Sequence, residues 1–174
     1  MNNRDKTRRL ATAAMLAALG VVMLYFGAMI EVVDISMAVI ASLLCVFAVI
    51  ELGGAYPWLV FAVTAVLALL LLPNKTPAVM YAAFFGFYPI IKEKLERMSK
   101  VLSWILKEII FNIALAVIAV LVVFVFTVGD VSAGLPYIAA VILLAEVVFV
   151  FYDIALTRMI SMYIYKLRGR FRFK

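Results

Sequence analysis

Ionisable side chains inside apolar stretches are where this chain carries its chemistry. The stretch 101–128 contains Lys107, Glu108 and Asn112, and the stretch 136–165 contains Glu146, Asp153 and Arg158. In lipid such groups are costly, so each must pair, face water or hold a ligand. At about 1.5 Å per helical residue, Asn112 and Asp153 both lie ~17 Å from the same membrane surface, and Glu108 and Arg158 both lie ~10 Å from it. Two successive antiparallel helices bring groups of matching depth together. We therefore expect two structural buried pairs, Glu108–Arg158 and Asn112–Asp153, ahead of a transport role. Lys107 is expected to snorkel toward the interface. Glu146 has no basic residue within a span at its level. It must face water, a ligand or a partner, or else be protonated, and it is a candidate for the lining of a cavity open to the outside.

The elements that must position these groups are membrane helices. The chain has 174 residues, of which 68% are hydrophobic and 15% charged, against about 45–50% apolar and 25% charged in ordinary soluble domains. Its mean hydropathy is +1.19. We expect an all-α integral membrane protein, one domain over 1–174, with spans at about 10–30, 35–52, 56–72, 76–91, 101–128 and 136–165. "GGAYP" at 53–57, "PNKTP" at 73–77, "KEKLERMSK" at 92–100 and "GDVSAGLP" at 129–136 punctuate them. The basic N-terminus followed by an apolar run is read as a retained first span rather than a cleaved signal. Lys and Arg fall in the N-terminal segment, the fourth loop and the tail "YKLRGRFRFK", with only Lys75 on the other side. Six spans place all the basic segments in the cytoplasm, with both termini there.

The net charge of +6 therefore serves topology and not nucleic acid. The chain has no histidine, which removes His-based catalysis and most zinc sites. Its single cysteine, Cys45, permits no intramolecular disulfide. No metal or cofactor is expected. Toward the outer edge, Glu31 and Asp34 flank the exit of the first span, and Asn74 and Lys75 cap the turn into the fourth. Tyr81, Phe84 and Phe85 lie in the outer half of the fourth, and Tyr137 starts the sixth. Aromatic walls with a few polar groups suit a planar small molecule; an interfacial aromatic belt with solvated charges is the alternative. The first span, "LATAAMLAALGVVM" at 10–23, is crowded with small residues. Ala13 with Ala17, and Ala14 with Ala18, make two overlapping small-xxx-small pairs that let another helix approach closely, either within the bundle or from a partner.

Size, six spans, cytoplasmic termini and the Ala-rich "AMLAAL" of the first helix give the chain a resemblance over its full length. It resembles the substrate-binding S components of energy-coupling factor (ECF) vitamin transporters. The resemblance implies that Ala13, Ala14, Ala17 and Ala18 dock on a transmembrane coupling protein driven by two ATPase subunits. It also implies a small water-soluble nutrient bound near the outer side, beneath the Glu31–Asp34 loop and against spans four, five and six. The substrate-binding candidates are Glu31, Asp34, Asn74, Lys75, Tyr81, Phe85, Tyr137 and Glu146. Several carboxylates against one outer lysine favour a neutral or cationic ligand.

A structural scaffold resembling the rod-shape membrane protein of the cell-elongation machinery is the alternative, with the small-residue face bound to a membrane partner and no ligand. An enzyme is not expected, since there is no histidine, clustered aspartate motif or GxSxG. Proton-coupled transport through Glu108, Glu146 and Asp153 by this chain alone is disfavoured by the absence of internal repeats.

Overall fold

The computed structural model describes residues 3–125 and 135–167. The chain forms two compact units, Met1–Val122 and Val123–Lys174. The described residues are mostly helical, with no strand among them. Lipid suits this, because a helix satisfies its backbone polar groups internally. The first unit contains α1 (Asn3–Met29), a 3-10 turn (Glu31–Val33), α2 (Asp34–Glu51), α3 (Tyr56–Leu71), α4 (Thr76–Met80) and a π-helical turn (Tyr81–Phe85). It continues with α5 (Tyr88–Leu95) and most of α6 (Lys100–Val125). The second unit holds α7 (Leu135–Met162) and a closing π-helical turn (Tyr163–Leu167).

Four of these helices, α1, α2, α6 and α7, are long and apolar enough to cross a membrane, and α3 is a shorter apolar helix. The chain is an all-α membrane protein. Its expected fourth span, 76–91, is not one helix. Pro89 has no amide hydrogen, and its ring crowds the carbonyl four residues back. The segment instead breaks into α4, a π-turn closed by the Gly86 amide on the Tyr81 carbonyl at 2.7 Å, and α5. A Cβ on Gly86 would sit 2.6 Å from the Phe61 ring and 2.8 Å from the Tyr81 ring, so only glycine lets the two rings close over the turn. The fifth expected span ends three residues beyond α6, and residues 126–128 lie outside the described residues, as do 129–134 of the fifth loop and the tail beyond Leu167.

The core of the first unit is made of small residues and a few large ones. Ala13, Ala17, Leu24 and Ala28 of α1 meet Ala38, Ala41, Cys45 and Ala48 of α2 and Val60, Ala65 and Ala68 of α3. Alanine seams bring the helix backbones close, which is how helices associate where lipid supplies no hydrophobic drive. Gly20 faces Thr64 of α3, where an added Cβ would lie 3.0 Å from Thr64 Cγ2. The Thr64 hydroxyl donates to the Ala17 carbonyl at 3.3 Å. Helix α2 closes through Gly53 (φ +62°), whose amide reaches the Ala48 carbonyl at 3.1 Å, and Gly54 follows at φ +61°. This left-handed pair is open to glycine and strained for other residues. The Arg9 guanidinium of α1 donates to the Leu52 carbonyl at 3.1 Å, placing a cation on the negative end of α2.

Candidate functional site

The polar features of the first unit gather at its two ends. At one end the start of α2 meets the turn between α3 and α4. Asp34 opens α2 at 7% exposure, buried although it is a carboxylate. A negative group there suits the positive end of the helix dipole. Asn74 Nδ2 donates to Asp34 Oδ2 at 3.4 Å, and Asn74 Oδ1 accepts from the Thr76 amide at 3.0 Å and the Thr76 hydroxyl at 2.8 Å. Asn74 therefore shapes an Asx turn and ties it to α2. Lys75 folds back onto α3, its Nζ donating to the Leu72 carbonyl at 2.6 Å, where a cation offsets the dipole. Asp34 and Asn74 are thus brought together at the turn, while Lys75 turns back to the end of α3. The side chains of Glu31 and Tyr137 lie outside the described ones.

Below this turn the aromatic residues form a packed cluster. Tyr81 is buried, and its hydroxyl meets Cys45 Sγ at 3.0 Å, which gives the phenol a partner inside an apolar core. Phe84 is buried against Phe85, Tyr88 and Phe111, with ring centroids 5.4, 4.8 and 5.3 Å away. Phe85 is half-buried. Tyr81 and Phe84 are filled in by their neighbours, and Phe85 keeps part of its surface.

The opposite end carries a group that the sequence reading missed. Lys92 is 0% exposed and Lys107 4% exposed, and both reach one carboxylate, Glu96 Oε1, at 2.8 and 3.4 Å. Lys107 also lies 5.7 Å from the centroid of the Trp104 ring. Lys107 thus turns to Glu96 rather than to solvent. Lys92 hid in the charged run "KEKLERMSK", which reads as a solvated connector. The signal that exposes it is spacing: Tyr81, Phe84, Tyr88 and Lys92 fall on one buried side of the segment. The neighbouring pair Arg97–Glu93, at 2.6 Å, is exposed and ordinary.

Of the four small residues of α1, Ala13 and Ala17 are 0% and 1% exposed and belong to the core. Ala14 and Ala18 are exposed. The expected pairs Glu108–Arg158 and Asn112–Asp153 each have one member in either unit. Within α6, Asn112 is exposed and its Nδ2 donates to the Glu108 carbonyl at 3.1 Å. Within α7, Asp153 is buried and its backbone carbonyl accepts from the Thr157 hydroxyl at 2.9 Å. Arg158 is exposed. Glu146 is half-buried, and its Oε2 is shielded from solvent with no hydrogen-bond partner. No group of three or more His, Cys, Asp or Glu able to hold a metal ion occurs among the described residues.

Fold and composition define the class: an all-α protein of the membrane. Comparison with protein-family models, curated proteins and solved structures finds no match for the chain.

Proposed function

We propose that the chain is the ligand-binding subunit of a membrane importer, built like the S components of energy-coupling factor transporters. The observation that carries this reading is the outer row of α1. Ala14 and Ala18 are exposed beside a second row, Ala13 and Ala17, that already closes the helix seam. A close-packing surface left over once the bundle is built suits another transmembrane protein. In this reading that protein is the coupling subunit. Two attached ATPase subunits hydrolyse ATP, since this chain has no P-loop of its own. The ligand is a small water-soluble nutrient taken from outside. The chain crosses the cell membrane six times with both termini in the cytoplasm, an orientation supported by the distribution of Lys and Arg.

The test is capture of the tagged protein from its native membranes in mild detergent, with mass spectrometry of the proteins retained. Wild type is compared with the Ala14→Trp, Ala18→Trp double variant. The importer reading expects ATPases and a transmembrane coupling protein with wild type and their loss with the variant. The dense packing around Tyr81 and Phe84 favours one second reading, a scaffold that binds membrane partners and no ligand. Cell-wall or division proteins in the capture, with no ATPase, would decide for it.

A further inference from the structure

Among the described residues, Glu146 of the second unit keeps a shielded carboxylate oxygen without a hydrogen-bond partner. It sits within α7, twelve residues from Leu135 counted inclusively, and a shielded carboxylate oxygen without a hydrogen bond is expensive in an apolar setting. Its own helix offers no counter-charge within reach. From residue 108 to residue 157 the chain contains no Lys or Arg at all. Arg158, the first basic residue after Glu146, is twelve positions on, ~18 Å along the axis. None of the described ion pairs reaches Glu146. The side chains that share its face one and two turns on are Phe149, buried and aromatic, and Asp153, buried and acidic. Neither side chain carries a positive charge of its own.

We infer that Glu146 receives a positively charged, hydrogen-bond-donating group of the transported ligand, an ammonium or amidinium. This rests on the reading of the chain as a ligand-binding subunit and narrows its substrate to organic cations. A cation supplies both the missing hydrogen bond and the missing charge, and charge-assisted bonds are among the strong ones. A neutral donor would answer only the hydrogen bond. An anion would be repelled.

The inference is tested on the full-length protein purified in mild detergent from its native membranes. Small molecules are extracted and identified by mass spectrometry from wild type, Glu146→Gln and Glu93→Gln, an exposed charge control. Thermal unfolding of each variant in the same detergent verifies that it is folded. Should Glu146→Gln unfold, Glu146→Asp takes its place, keeping the charge and shortening its reach. The expected result is a retained organic cation, reduced roughly thirtyfold or more in Glu146→Gln and unchanged in Glu93→Gln. A retained neutral or anionic molecule, or a cation that Glu146→Gln holds as well as wild type, overturns the inference and leaves the importer reading standing. A wild type that carries no small molecule overturns both.

Discussion

The two faces of α1 are built from the same residues and do different things. Ala13 and Ala17 are buried in the seam with α2 and α3; Ala14 and Ala18, one position further along the chain, are exposed. A helix advances 100° per residue, so neighbours in sequence fall on different faces. The inner face is small because backbones must approach: Gly20 stands where a Cβ would press on Thr64, and the Ala17 carbonyl takes the Thr64 hydroxyl. On the outer face no buried contact demands small residues. The same chemistry is explained by the fold on one side and needs another explanation on the other.

The sharpest way to break that contrast is to enlarge the inner face. Ala17→Leu forces three extra carbons into a site with 1% exposure. Overpacking of this kind costs about 1–3 kcal/mol, and here a backbone seam, not a flexible side chain, must give way. Thermal unfolding in detergent should show a clear drop in midpoint for Ala17→Leu. An unchanged midpoint would mean that α1 and α3 do not pack as described.

A smaller effect is expected one turn on. Gly20→Ala adds a single methyl 3.0 Å from Thr64 Cγ2, and the cost should fall near the low end of the same range, about 1 kcal/mol. Thr64→Ala removes that crowding along with the hydrogen bond to Ala17, whose loss alone is worth about 0.5–1.5 kcal/mol. The two changes touch one contact, so they should not add. The double variant should be more stable than the sum of the singles predicts. Additive losses in a full cycle of unfolding midpoints would show that Gly20 and Thr64 do not meet.

The contrast between the faces also marks how far the sequence could be read. Helix ends were legible where chemistry punctuates them: Gly53 and Gly54 close α2, Pro73 follows the end of α3 and Pro77 stands in the first turn of α4, so α2 and α3 begin and end within about a residue of the expected stretches. The two alanine rows were legible as rows, but nothing in two identical spacings says which one faces inward; only the neighbours in space decide. The π-turn at Tyr81–Phe85 leaves no periodic signature, and its cause, a proline eight residues beyond Tyr81 with a glycine between them, becomes visible only once Phe61 and Tyr81 are seen closing over Gly86. Lys92 lies in a run of charges of the kind that normally solvates, whereas here the buried lysine reaches the exposed Glu96 carboxylate. The polar turn was the most legible part of the candidate site, since Asp34, Asn74 and Lys75 are each a helix-end residue with a local reason to be there.

The smallest effect on stability is the most informative one for function. Ala18→Leu enlarges a side chain on the exposed row, where substitutions away from packing features usually change stability by within about 0.5 kcal/mol. Leucine forms helices nearly as well as alanine, so α1 itself should not object. The unfolding midpoint should therefore match wild type, in contrast to Ala17→Leu one position before it. If the outer row is a docking face, the same substitution holds a partner helix away from the backbone and should sharply reduce the coupling protein captured from native membranes. Stability kept and capture lost would separate the two faces by function as well as by burial. Stability and capture both kept would leave the outer alanines as lipid-facing residues and remove the observation on which the importer reading stands.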